Sequence, residues 1–141
     1  MAPVRRSLLL TALAVSACGG GDPSPESVVR AWSAAVNTDD NAGAARLFAE
    51  GARVVQEGDV RRLETFAEAR AWNSSLPCSG RIVRLTVRGE NVRVTFVLGD
   101  RRRSECDGPG ERAQALFRVR EGKIVLWHQL DPSEVPEEES A

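Results

Sequence analysis

The sequence predicts an α+β domain in which helices come first and an antiparallel sheet follows. Three observations carry this expectation. Apolar residues recur at three- and four-residue spacing through the first half, the period changes to two from residue 80 onward, and two-residue turns at Gly89–Glu90 and Glu121–Gly122 divide the second half into strands.

The first helix starts at "SPESVVRAWSAAVN". Ser24 can cap, Pro25 fits a first turn where its missing N–H costs nothing, and Glu26 suits the positive end of the dipole. Val28, Ala31, Trp32, Ala35 and Val36 then form one apolar stripe. After "NTDD", a polar connection and cap, "NAGAARLFAEG" predicts a short second helix that turns Ala45, Leu47 and Phe48 inward and stops at Gly51. "ARVVQEGDVRRL" gives two extended pieces around Glu57 and Gly58, and "ETFAEARAWNSSL" returns to helical spacing through Phe66, Ala69 and Trp72 until Pro77.

In "RIVRLTVRGENVRVTFVLGD" a strict two-residue period about the Gly89–Glu90 turn pairs Val87 with Val92, Leu85 with Val94 and Val83 with Phe96. Arg84, Thr86, Arg88, Arg93 and Thr95 fall on the wet face. The same rule applied to "AQALFRVREGKIVLWHQL" pairs Val119 with Ile124, Phe117 with Leu126 and Ala115 with His128. It puts the chain's one histidine inside and leaves Leu116 and Trp127 as an apolar pair outside.

The two ends have a different character. "MAPVRRSLLLTALAVSAC" runs from two arginines through a small or apolar stretch to a cysteine, the order of an export signal, and its apolar run is about half of the ~20 residues a membrane-spanning helix needs. "VSAC" resembles the lipobox of bacterial lipoproteins. That resemblance implies cleavage after residue 17, diacylglycerol on Cys18, attachment to a membrane of the bacterial envelope facing the extracytoplasmic side, and a short flexible tether over residues 18–24. Residues 132–141 are acidic and proline-bearing and read as a disordered tail, which leaves a single domain at 25–131.

With Cys18 assigned to lipid, Cys78 and Cys106 remain as an even pair in an exported chain, for which a disulfide is the expected state. Two cysteines so far apart, with one distant histidine, are a poor metal set, and neither a metal nor another cofactor is expected. After loss of Arg5 and Arg6, 17 of the 19 basic residues remain against 20 acidic ones, a formal charge of −3. Such a balance offers no field for nucleic acid, and "DRRRSEC" reads as a self-neutralised surface loop without an aromatic platform.

The order of these elements, with "VVRAWSAAVNTDDNAGAARLF" early and "LFRVREGKIVLW" late, resembles the nuclear transport factor 2-like, or SnoaL-like, superfamily. The resemblance spans nearly all of residues 25–131. It implies a cystatin-like, cone-shaped curved antiparallel sheet wrapped around three N-terminal helices, with an open end that can hold a small molecule. In that registry Cys78 lies opposite about Arg101, so Cys106, a few residues further along the loop, is within bridging reach.

The superfamily contains isomerases, cyclases and hydrolases. Its isomerase pattern asks for a tyrosine, a base and a carboxyl group, and matching it to this chain gives Trp32, Gln56 and Ala115 at those three positions. None can do that chemistry, and the chain has no tyrosine. His128 joins Trp32, Gln56 and Ala115 as a candidate pocket residue, since histidine is the side chain that exchanges a proton near neutral pH, though a satisfied core-edge histidine is the plainer reading.

Three functions follow as expectations. The first is a lipid-anchored module that binds a small apolar ligand or a protein; the second is an enzyme on an apolar small molecule using His128. The third is an accessory subunit of an envelope complex, or a homodimer, that uses Leu116 and Trp127 on the outer sheet face.

Overall fold

The computed structural model describes residues 21–131. The expected signal at 1–17, Cys18 with the start of the tether, and the tail at 132–141 lie outside the described residues. Among the described residues no helix is long and apolar enough to cross a membrane.

Helix α1 (Pro25–Asn37) begins as the sequence dictates. The Ser24 side chain accepts from the Ser27 amide, and Val28, Val29, Trp32 and Val36 are buried along one stripe. Helix α2 (Asn41–Arg46) is shorter than its periodicity predicts. Residues 48–51 join strand β1 (Phe48–Gln56) instead, where pairing to two neighbouring strands outweighs a last helical turn. Strand β2 (Asp59–Leu63) follows, then α3 (Phe66–Ser75), capped by Thr65 through the Glu68 amide.

Strands β3 (Cys78–Arg88), β4 (Asn91–Asp100), β5 (Arg112–Arg120) and β6 (Lys123–Leu130) complete one sheet in the order β2-β1-β6-β5-β4-β3. Its neighbours are antiparallel except β1 and β6, which run parallel, so the sheet is mixed. The helices pack on its inner face over Val54, Val92, Val94, Phe117 and Ile124. A chain of rings runs through this core, from Phe48 to Trp72 (5.7 Å), Trp127 (4.9 Å), Trp32 (6.4 Å) and Phe117 (5.2 Å), edge-to-face at every step but the tilted Trp127–Trp32 pair.

Two bulges overturn the strict two-residue registers. In β3 the pairs Val87–Val92 and Leu85–Val94 form, but Val83 is an extra residue. Ile82 takes its place opposite Phe96, and Cys78 lies opposite Asp100 rather than Arg101. In β6 the extra residue is Val125. Phe117 faces Trp127, Leu116 faces His128, and Ala115 faces Gln129.

Trp127 is therefore inside, only 6% exposed, and His128 is on the outer face beside Leu116 and Val55. The expected outer pair of Leu116 and Trp127 does not form. The physical reason is area: a tryptophan buries about 150–250 Å², worth roughly 4–6 kcal/mol at 25 cal/mol per Å². The bulge costs only one local ladder irregularity.

Cys78 and Cys106 form a disulfide with Cα atoms 4.6 Å apart, tying the β4–β5 loop to the exit of α3. The bridge spans 28 positions, and the chain-entropy relation puts a loop of that length at about 3–4 kcal/mol. The double substitution Cys78→Ser, Cys106→Ser is expected to lower unfolding free energy by that amount in urea titrations. A loss below about 1 kcal/mol would show that the loop is held by other contacts.

Candidate functional site

The open end of the cone holds a cavity of about 190 Å³ between α1, the end of β1, the start of β3 and the β4–β5 loop. Its walls are mainly apolar, with Trp32, Phe96, Trp127, Leu76 and Leu98 contributing most of the large side chains. The structure brings Trp32, Gln56 and Ala115 together on this wall, as the sequence comparison places them, but not His128. The bulge at Val125 turns that histidine to the other side of the sheet, so it cannot serve as acid or base in the cavity.

The residues gained instead are Trp127 and Gln129. A strict two-residue period hides both, since the sign of their facing depends on one extra residue upstream. The one available signal was the oddity of an indole left on a wet strand face.

The cavity's polar groups differ in what they have left to offer. Trp32 spends its indole N–H on Asn73 Oδ1 at 2.8 Å, and Asn73 in turn donates to the Ala69 carbonyl. Asn37 is committed at both ends of its amide, to the Gly80 carbonyl and from the Gly80 N–H, each at 2.9 Å. That clasp brings the β3 backbone so close to Phe96 that a Cβ at Gly80 would sit 2.8 Å from the ring, so only glycine keeps this wall in place. Trp127 is different: its Nε1 is buried and has no hydrogen-bond partner among the described residues.

A family model for the SnoaL-like domain matches residues 29–127. The chain belongs to the SnoaL-like domain family. Comparison with curated proteins found no match. Among solved structures, the fold is similar to an NTF2-like protein of unknown function from Cytophaga hutchinsonii, at 16% identity and a TM-score of 0.63, covering 78% of this chain and 92% of that one. It is also similar to a putative polyketide cyclase from Sinorhizobium meliloti, at 18% identity and a TM-score of 0.62, covering 74% and 94%. A third is a hypothetical protein of ketosteroid isomerase-like fold from Catenulispora acidiphila, in complex with trimethylamine, at 20% identity and a TM-score of 0.60, covering 80% and 91%.

On this SnoaL-like frame the rim of the cavity is fixed by a buried cation that the sequence disguises within "DRRRSEC". Arg101 is 5% exposed. It donates from Nε to Asp39 Oδ1 at 2.7 Å, from one terminal nitrogen to the Asn73 and Leu76 carbonyls, and from the other to Asn41 Oδ1. Asp39, read from sequence as part of a polar helix connection, adopts a left-handed backbone (φ 56°) to meet it. The clamp sets Leu76, and Leu76 lines the cavity. The loop's other arginines, Arg102 and Arg103, are exposed as expected.

Cys78, Cys106 and Asp107 bring three metal-ligating atoms within 4.8 Å of one another, but the two sulfurs are bonded to each other and offer no thiolate. A second hollow lies against α2 and α3, edged by the charged Arg46, Glu50, Glu64 and Lys123. None of the buried unpaired polar atoms among the described residues belongs to it, so the cone cavity is the stronger candidate.

Removing one member of a buried, hydrogen-bonded pair leaves the other charge unsatisfied, at a cost of about 3–5 kcal/mol. Arg101→Met is expected to lose that much stability in chemical denaturation. Arg30→Met, which breaks the exposed pair with Glu26, is expected to lose less than about 1 kcal/mol. Equal losses would refute the clamp.

Proposed function

We propose that this SnoaL-like chain is a lipid-anchored module on the extracytoplasmic side of a bacterial envelope membrane that binds a small molecule in the open end of its cone. The observation that carries the binding reading is Trp127: a buried indole N–H left without an acceptor, on a residue that lines an apolar cavity. An unpaired buried donor costs about 1–3 kcal/mol, and a ligand oxygen at the wall would recover it. A volume of about 190 Å³ is below the roughly 300–1,000 Å³ of pockets that take drug-sized ligands, which favours a one-ring or short-chain molecule over a polycyclic one.

The anchor reading rests on "VSAC" and the segment before it. The entry of the chain into the fold fits it. Pro23 packs at the β5–β6 turn, where a Cβ on Gly122 would lie 2.9 Å from its ring. Gln129, on the cavity wall, is near the other end of β6. At ~3.3 Å per residue the length of that strand is about 25 Å, so the described chain enters the fold at the end away from the mouth, which supports an anchor that leaves the mouth open to the aqueous compartment.

Intact mass of the protein taken from its native membrane tests the anchor. The expected species starts at a diacylated Cys18 and gains two protons on reduction; an unlipidated chain with three thiols would refute it. For the site, Trp127→Phe keeps an aromatic wall and deletes the donor. It is expected to weaken binding of an oxygen-bearing ligand by roughly tenfold, about 1.4 kcal/mol, read by calorimetry, and an unchanged affinity would remove Trp127 from the site.

A further inference from the structure

Most arginines of the sheet lie on the face away from the core, Arg61 opposite Val54 on the edge strand β2 being an exception. None of the arginines or lysines among the described residues lines the cavity, although the whole chain carries 19. Sheet register sends Arg53, Arg62, Arg84, Arg88, Arg93 and Arg118 to the outer face, alternating with the inward core residues. Arg101 is buried close behind the rim, but its guanidinium is turned to Asp39, Asn41 and two carbonyls. The two charged residues on the cavity wall are both carboxylates, Glu57 from the β1–β2 turn and Asp107 from the β4–β5 loop, and both are exposed at the mouth.

An anionic ligand entering here would meet two like charges and no cation to offset its lost hydration. A cation would meet two carboxylates, then a wall that includes the aromatic side chains of Trp32, Phe96 and Trp127, and ring quadrupoles attract positive charge over their faces. The buried Trp127 Nε1 adds the complementary demand at the wall, since an N–H is satisfied only by an acceptor. Carboxylates at the mouth, aromatic side chains inside and, among the described residues, an unpaired donor on Trp127 and an unpaired acceptor on Gln114 together describe a ligand with a positive end and a hydroxyl or carbonyl oxygen.

We infer that the cavity takes a small organic ammonium ion bearing a hydroxyl or carbonyl oxygen, and that it discriminates against carboxylates and phosphates of the same size. This rests on the ligand-binding reading above and names the chemical class that the site selects.

The test compares three probes with one phenyl ring and one benzylic hydroxyl each: 2-amino-1-phenylethanol (cationic), 1-phenyl-1,2-ethanediol (neutral) and mandelate (anionic). Each is titrated by calorimetry into the full chain, with tryptophan fluorescence as a second readout. The ammonium is expected to bind at least tenfold more tightly than the diol, a difference of about 1.4 kcal/mol, with mandelate weakest and the preference shrinking as salt is raised. The double substitution Glu57→Gln, Asp107→Asn is expected to bring the ammonium-to-diol ratio close to one. If the diol binds as well as the ammonium, or mandelate binds best, the charge class is wrong while the site stands. If none of the three binds, the ligand-binding reading fails and this inference fails with it.

Discussion

The guanidinium of Arg101 joins three parts of the chain that are distant in sequence: the α1–α2 connection at Asp39 and Asn41, the end of α3 at Asn73 and Leu76, and the β4–β5 loop from which it comes. A buried arginine is tolerable only when nearly all its donors are used, and four of its hydrogen bonds are in place. The arginine's cost is offset locally, while Asp39 Oδ2 stays buried without a partner among the described residues, and the clamp holds the helical layer against the sheet at the open end. The adjacent Cys78–Cys106 bridge closes the same corner covalently. Rim and cavity depend on this corner because Leu76, Pro77, Cys78 and Asp107 all belong to it and all line the mouth.

Further in, the aromatic chain does the corresponding work. Trp72 and Trp32 hold Trp127 from two sides, at 4.9 and 6.4 Å between ring centres. Trp32 is itself pinned by its hydrogen bond to Asn73, which sits beside the Arg101 clamp. One connected set of polar and ring contacts thus runs from the rim to the centre of the core. The wall residues are held by packing rather than by flexible loops, the condition under which a pocket is already shaped before a ligand arrives.

The family match and the cavity support a module that binds or acts on a small molecule. The wall positions that the superfamily's isomerase pattern reserves for acid, base and donor carry Trp32, Gln56 and Ala115, and the histidine expected beside them faces away. What remains is a small apolar space with carboxylates at its entrance and arginines sent to the opposite face. The proposed tether at the closed end would present that entrance to water.

The sequence by itself determined the order of elements, the cap at Ser24, the two-residue turns and the pairing of the two cysteines within the domain. These are local or parity properties, decided by spacing and by residues a few positions apart. It also brought Trp32, Gln56 and Ala115 to one wall through resemblance to the superfamily. Only the tertiary structure decided the rest. Side-chain facing in a strand has a period of two, so a single extra residue inverts everything beyond it, and Val125 is extra because burying Trp127 is worth more than a regular ladder. Arg101 was equally hidden: among three consecutive arginines nothing local marks the one whose partners lie 25 to 62 residues away.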